Sequence, residues 1–169
     1  MSMPEAAAPL SAFRTHEGLV RKINEDGFLD LPDAGVWLVA DGMGGAAHGD
    51  VASKSVVAAM ADAPLAGDLD SRVHRTIEAL TRVNADLRGM AQRDGDDRMI
   101  ATTVACLLGF DDGRCVCIWA GDSRVYRWRR GELARLTRDH SQVQEMIEQR
   151  ALEPAQAAGH RLRHVITRA

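Results

Sequence analysis

The stretch Val39-Ala40-Asp41-Gly42-Met43-Gly44-Gly45-Ala46-Ala47-His48-Gly49-Asp50 joins an apolar run to a helical pattern, with four glycines and two carboxylates at the junction. Two readings compete. Gly42-Met43-Gly44-Gly45-Ala46-Ala47 fits G-x-G-x-x-A, a form of the dinucleotide-binding fingerprint, which would make the chain a Rossmann-type nucleotide-binding module. In the other reading Asp41, at a strand's C-terminal end, anchors a metal, and the glycines turn the chain into the helix that follows.

The order of elements around the stretch separates the two. Upstream, Ser11 to His16 and Glu25 to Leu31 read as strands, and Gly35 to Asp41 is a continuous apolar run of the kind a strand buried on both faces shows. Pro32-Asp33-Ala34-Gly35 has turn composition, so the last two strands can pair as a hairpin. Downstream, Gly49 to about Ala63 reads as a helix with Ala52, Val56, Ala59 and Met60 at helical spacing. A clearer helix runs from Ser71 to about Met90, where Val73, Ile77, Leu80, Val83, Leu87 and Met90 form a stripe and Glu78 and Arg82 an i,i+4 pair. Gln92 to Arg98 is polar and reads as a loop. Ala101 to Phe110, Arg114 to Ala120 and Ser123 to Arg129 are β-rich, joined by links too short for crossover helices, so they predict an antiparallel meander, with Gly131 to Leu136 as a fourth short strand. Ser141 to Arg150 and Glu153 to Ala158 look helical.

A Rossmann unit needs one helix and a parallel return strand after its glycines; two helices and a meander do not supply that. A phosphate-binding P-loop is disfavoured too, because Asp50 stands where a lysine should follow Gly49. The carboxylates give the alternative. Asn24-Glu25-Asp26 opens one strand, Asp41 closes the next, and Asp122 lies in the turn between two meander strands, so a sheet could gather them at one edge. Each alone reads as a solvated turn residue. Gathered together they would be costly without hard divalent cations, which suggests Mg²⁺ or Mn²⁺.

Bulk properties exclude other classes. A chain of 169 residues suits one domain with a sizeable core. Its formal net charge of −3 reads as mixed signs spread along the chain, with no footprint for nucleic acid or an anionic membrane. No apolar run approaches the roughly 20 residues of a membrane span. Residues 1–10 read as a loose tail without a secretion signal, which predicts a cytoplasmic protein. Cys106, Cys115 and Cys117 fit neither a disulfide framework nor a zinc knuckle and read as buried small hydrophobes.

The joint pattern resembles the metal-dependent serine/threonine phosphatases of the protein phosphatase 2C family, bacterial branch. It is carried by Thr15-His16-Glu17-Gly18-Leu19-Val20-Arg21-Lys22-Ile23-Asn24-Glu25-Asp26, Ala40-Asp41-Gly42-Met43-Gly44-Gly45, Ala101-Thr102-Thr103, Ala120-Gly121-Asp122-Ser123-Arg124, Thr137-Arg138-Asp139-His140-Ser141 and Arg163-His164-Val165-Ile166-Thr167-Arg168-Ala169. The resemblance implies an α+β fold, an antiparallel β-sandwich flanked by helices on both faces, over residues 11–169, with a flap at about 140–164. It implies Asp41 as a carboxylate bridging two metal ions, Gly42 as a carbonyl ligand, Glu25 and Asp26 as holders of metal-bound water, and Asp122 as ligand of a third, weaker ion that His164 on the flap would approach. Arg21 would bind the substrate phosphate with its planar fork of donors.

The implied reaction is hydrolysis of phosphoserine and phosphothreonine on proteins by a water bridging two Mg²⁺ or Mn²⁺ ions, commonly opposing a Hanks-type serine/threonine kinase. Animal relatives place a histidine directly after Asp-Gly; here that residue is Met43. The family pattern continues past Thr-Arg-Ala into strands carrying two further aspartates, a Ser-Asp-Gly and an Asp-Asn, and neither motif occurs here. The domain therefore reads as incomplete and is expected to be weakly active or inactive, the alternative being a non-catalytic phosphopeptide-binding module.

Overall fold

The computed structural model describes residues 9–44, 48–93, 99–109 and 113–169. Its centre is the strand expected from the opening stretch. Strand β2 (Val36–Met43) is flanked by β1 (Asp26–Leu31) on one side and β4 (Val104–Gly109) on the other, with β5 (Cys115–Ala120) beyond β4 and the two-residue β3 (Ala101–Thr102) continuing the pairing at the far end of β2. Every pairing is antiparallel. The β1–β2 link is a single 3-10 turn over Pro32–Ala34, closed by Gly35 in the left-handed conformation at φ 61°. A side chain there would also press on the Gly109 carbonyl, so the turn suits glycine twice over.

Alternation along β2 sorts its residues. Val36, Leu38 and Ala40 are buried, together with Cys106 and Leu108 beside them on β4. Onto this face packs α1 (Gly49–Asp62), through Ala52, Val56 and Met60, and behind it α2 (Leu69–Arg93), through Ala79, Val83 and Leu87. The opposite face carries Trp37, Val39 and Asp41, and Val39 is 48% exposed. The expectation that this run is buried on both faces is thus corrected: among the described residues the helices α1 and α2 cover one face only.

The buried stripe of α2 is rotated from the apolar one. Arg72 and Thr76 are buried while Ile77 is half exposed. The cause is the Arg72 guanidinium, which donates to the carbonyls of Gly109 (2.9 Å), Ala34 (2.5 Å) and Gly35 (3.3 Å) and so clamps two loops to the helix. Glu78 meets His74 (3.3 Å), one turn back, rather than Arg82.

Four further expectations change. Ser11 to His16 is no strand; it attaches to β1 through side chains, with Phe13 stacked on Phe28 (4.1 Å), Ser11 donating to Asp30 (2.7 Å) and Asn24 donating to Thr15 (2.6 Å). The meander breaks after β5: among the described residues β6 (Tyr126–Arg129) and β7 (Glu132–Arg135) pair only with each other, as a second sheet. Of the cysteines only Cys106 is buried, with its thiol pushed up to about 12 by burial; Cys115 is exposed, and all three are free. The loop expected at 92–98 begins later, since Gln92 and Arg93 belong to α2 and residues 94–98 lie outside the described ones, as do Gly45 and residues 1–8 of the expected tail.

After the hairpin come α3 (Gln142–Glu148), capped by Ser141, and a 3-10 helix over Pro154–Gly159. The chain then returns to the start of α3, with Gln142 donating to Val165 (2.9 Å) and Thr167 to His140 (2.9 Å). The result is a mixed fold of antiparallel sheets and helices. No helix is long and apolar enough to cross a membrane among the described residues.

Candidate metal centre

The register of the first hairpin builds the site. Asp26 pairs directly with Asp41, and in the alternation of the sheet both lie on the face that α1 and α2 leave open. Like charges directly across a ladder repel, so this pair is a cost the sheet alone does not explain. Asp41 is not the end of its strand, as expected, because β2 continues through Gly42 and Met43, which pair with Thr102 and Ala101.

The third carboxylate arrives through a short chain of hydrogen bonds. The Asp41 N–H donates to Thr103 Oγ1 (3.0 Å), and the Thr103 N–H donates to the Asp41 carbonyl (2.9 Å). Thr103 Oγ1 also shares a proton with Ser123 Oγ (2.6 Å). Gly121, at φ 95°, lies so close to Thr103 that a side chain there would collide with it. The turn carrying Asp122 is therefore seated against the backbone of Asp41.

Electrostatics report the same convergence. Burial raises the Asp41 carboxyl above its ordinary value, and Asp26, Asp122 and Glu25 push it further the same way, while Arg21 pulls it down. The residues picked from sequence thus surround Asp41. Arg21 itself is bound to Glu25, Nη1 to Oε2 at 3.2 Å, with its side chain largely exposed. Gly42 is buried, and its N–H donates to the Glu25 carbonyl (3.2 Å). A side chain at Gly42 would run into the Gly49 carbonyl and the Glu25 backbone, so glycine is needed there for close packing against the start of α1. Ser53 of α1 donates to the same Glu25 carbonyl (2.6 Å), fixing the helix to the acidic end of β1.

A cavity of about 240 Å³ opens between Asp26 and Asp41, bordered by Arg14, Thr15 and Ser123. Arg14 was not expected from sequence; nothing marked it apart from its place in the segment that follows β1 by side-chain contacts. His164, expected at the flap, is exposed and makes no hydrogen bond or ion pair among the described residues. The histidine beside Asp122 is instead His140, whose Nδ1 accepts from the Gly121 N–H (3.2 Å) and whose N–H donates to the Gly121 carbonyl (2.9 Å). Burial, then Arg168 and Arg138, lower its pKa, favouring the neutral ring. The Asp139-His140-Ser141 motif was its available signal.

No group of three or more His, Cys, Asp or Glu side chains among the described residues converges closely enough to hold a metal ion as placed. The donor chemistry nevertheless fits a hard cation. Carboxylates that together raise the proton affinity of Asp41 present all-oxygen donors, a set that Mg²⁺ or Mn²⁺ suits, in part through retained waters.

Antiparallel sheets packed with helices, with Asp26 and Asp122 brought to Asp41 at one sheet end, define a candidate divalent-metal site. The family model "Protein phosphatase 2C" matches residues 19–168, and the chain belongs to that family. It is 35% identical over 161 residues to the serine/threonine protein phosphatase PstP of Mycobacterium tuberculosis, covering 94% of this chain but 30% of that protein. Among solved structures it is similar to PppA of Pseudomonas aeruginosa, described as a regulatory component of T6SS (39% identity, TM-score 0.76, 90% of this chain and 61% of that one). It is also similar to the PstP catalytic domain in complex with two manganese ions (35% identity, TM-score 0.72, 85% and 61%). The chain thus spans less than two thirds of the length of these relatives.

Proposed function

We propose that the protein containing this domain dephosphorylates phosphoserine and phosphothreonine on proteins at the Asp41 centre. The observation that supports it most is the seating of Asp26, Glu25 and Asp122 around Asp41, each raising its proton affinity. When bound, two Mg²⁺ or Mn²⁺ ions would supply an acidified water as nucleophile and neutralise charge developing on the phosphoryl oxygens.

The chain's own residues do the holding and orienting. Asp41 and the Gly42 carbonyl would be direct ligands, Glu25 and Asp26 would accept hydrogen bonds from coordinated water, and Asp122 would serve a further ion. Arg21, released from Glu25, would turn its fork of donors to the substrate phosphate, and Arg14 lines the cavity between Asp26 and Asp41. The Met43 thioether has no acidic proton to give, so the leaving group would take its proton from water or another group. Residues 11–169 would act as one unit, with 140–164 as its flap. Substrates would be phosphoproteins of a serine/threonine kinase in the cytoplasm.

The test is turnover of p-nitrophenyl phosphate with and without Mn²⁺. Metal-stimulated turnover lost by at least about a hundredfold in Asp41→Asn is expected; turnover that ignores metal or this substitution would sink the proposal. One observation supports the second reading, a phosphopeptide-binding module with little turnover: the carboxylates do not close on a common point among the described residues. Mn²⁺-stimulated turnover separates the two, since a chain that binds a phosphopeptide without hydrolysing it even with Mn²⁺ present belongs to the second reading alone.

A further inference from the structure

The expectation of mixed signs spread along the chain is corrected when the chain is divided at the hairpin. Residues 124–169 carry ten arginines against five carboxylates, whereas residues 1–123 carry eleven lysines and arginines against nineteen carboxylates. The hairpin and flap therefore form a basic end on an otherwise acidic domain.

That end contains a cavity of about 560 Å³ between the β6–β7 hairpin, α3 and the 3-10 helix, within the size range of ligand pockets. Arg124, Arg135 and Arg163 line it, and Asp139 is the one carboxylate among its lining residues. Asp139 holds Arg124 in a two-pronged pair, Oδ1 to Nε at 2.9 Å and Oδ2 to Nη2 at 2.6 Å, and meets Arg135 at 3.6 Å. One negative charge thus faces three guanidinium groups. Ser141 and Val143 give the cavity a buried floor, and the return of the chain from Val165 and Thr167 onto residues 140–142 fixes its far wall.

We propose that this cavity receives a second anionic group of the polypeptide substrate, an Asp or Glu carboxylate or another phosphoryl group, near the residue to be dephosphorylated. The proposal rests on the phosphatase reading for its biological sense, but its chemistry is independent of metal. Arg124 follows Asp122 by two residues, at most about 7 Å of chain, so one short peptide could engage both places. The fork geometry of arginine matches both carboxylate and phosphoryl oxygens. A nucleic acid or membrane fits less well, because the surplus charge sits in a concavity and the surrounding flap surface is interrupted by Glu145 and Glu148, the latter tied to Arg138 at 3.1 Å.

The test is fluorescence anisotropy of labelled peptides on the 169-residue chain in EDTA, so that hydrolysis and metal play no part. Three peptides share one sequence and differ at the flanking positions: glutamates, glutamines, or phosphoserine. The glutamate or phosphoserine form should bind at least about tenfold tighter than the glutamine form, and the stronger of the two identifies the anion. Arg135→Gln with Arg163→Gln should erase the difference, while Arg163→Lys, which keeps the charge, should retain part of it; thermal melts check that each variant is folded. Equal binding of all three peptides, or an unchanged difference in the double variant, overturns the proposal. So does tighter binding of a ten-nucleotide RNA or of phosphatidylserine vesicles lost in the same variant, which would assign the cavity to polyanions. Loss of the phosphatase reading would leave these affinities unchanged and show only in turnover.

Discussion

Asp41 carries opposite values for stability and for chemistry. Its native pKa is raised above the ordinary 3.8 by burial and by Asp26 and Asp122, so the folded chain holds this proton to higher pH than the unfolded chain does. The contribution to stability is fully present below about pH 3.8 and is lost as pH climbs through the raised native value. Asp41→Asn should therefore melt at higher temperature than the natural chain at pH 7 without metal, with the gap closing towards pH 3.8. Added Mn²⁺ should raise the melting temperature of the natural chain and leave the variant unmoved; differential scanning calorimetry reads both, and a variant melting lower at neutral pH would contradict the account. Gly42 makes the complementary case. Its missing side chain leaves room for the Gly49 carbonyl and the Glu25 backbone, neither of which is a flexible tip that can move aside. Gly42→Ala should cost at least about 2 kcal/mol in urea unfolding and weaken Mn²⁺ binding through the displaced start of α1.

Among the elements, the interruption between β3 and β4 at Thr103 has the clearest purpose. One hydroxyl receives the Asp41 N–H and reaches Ser123, joining the central strand to the turn that bears Asp122. Thr103→Val keeps the shape and removes these bonds, leaving a partly buried N–H without its partner. A loss of about 1–3 kcal/mol is expected by urea denaturation, with weaker occupancy by the ion associated with Asp122. The sequence could not announce this, because Ala101-Thr102-Thr103-Val104 reads as unbroken strand when no partner is known. The helices were legible, since spacing of three and four needs only the chain itself; even so, Arg72 shifted the buried face of α2 by reaching carbonyls on loops distant in sequence. Ser11 to His16 alternates like a strand, yet it rests on Phe28 and Asp30 by side chains and forms no ladder. The carboxylates were legible as a set because Glu25 and Asp26 open a strand, Asp122 sits in a turn and Asp41 stands just before a run of glycines, even though its strand continues through Met43. His140 and Arg14 were not, because their importance lies in contacts with Gly121 and with the Asp26–Asp41 cavity that only the fold creates.

At the scale of the whole molecule, the sheet is covered on one side and open on the other, and the two sides meet in adjacent residues of β2. Leu38 is 3% exposed beneath the helices, while Val39 is 48% exposed on the face that also bears the half-buried Trp37 and, across the ladder on β4, Leu107. Apolar sheet faces of this kind associate, and β5 adds an edge whose outer backbone groups have no neighbouring strand in its sheet among the described residues. The 169-residue chain should consequently self-associate as its concentration rises, with sedimentation coefficients that increase over the micromolar range. Val39→Lys places a charge on the open face without disturbing the helices; the change should suppress association and alter the unfolding free energy by less than about 1 kcal/mol. Leu38→Ala, one residue away, should do the reverse, costing about 2–5 kcal/mol while leaving association in place, because it empties the covered side. Were both variants to destabilise the chain equally, the sheet would be buried on both faces in solution, and the contrast between Leu38 and Val39 would not describe it.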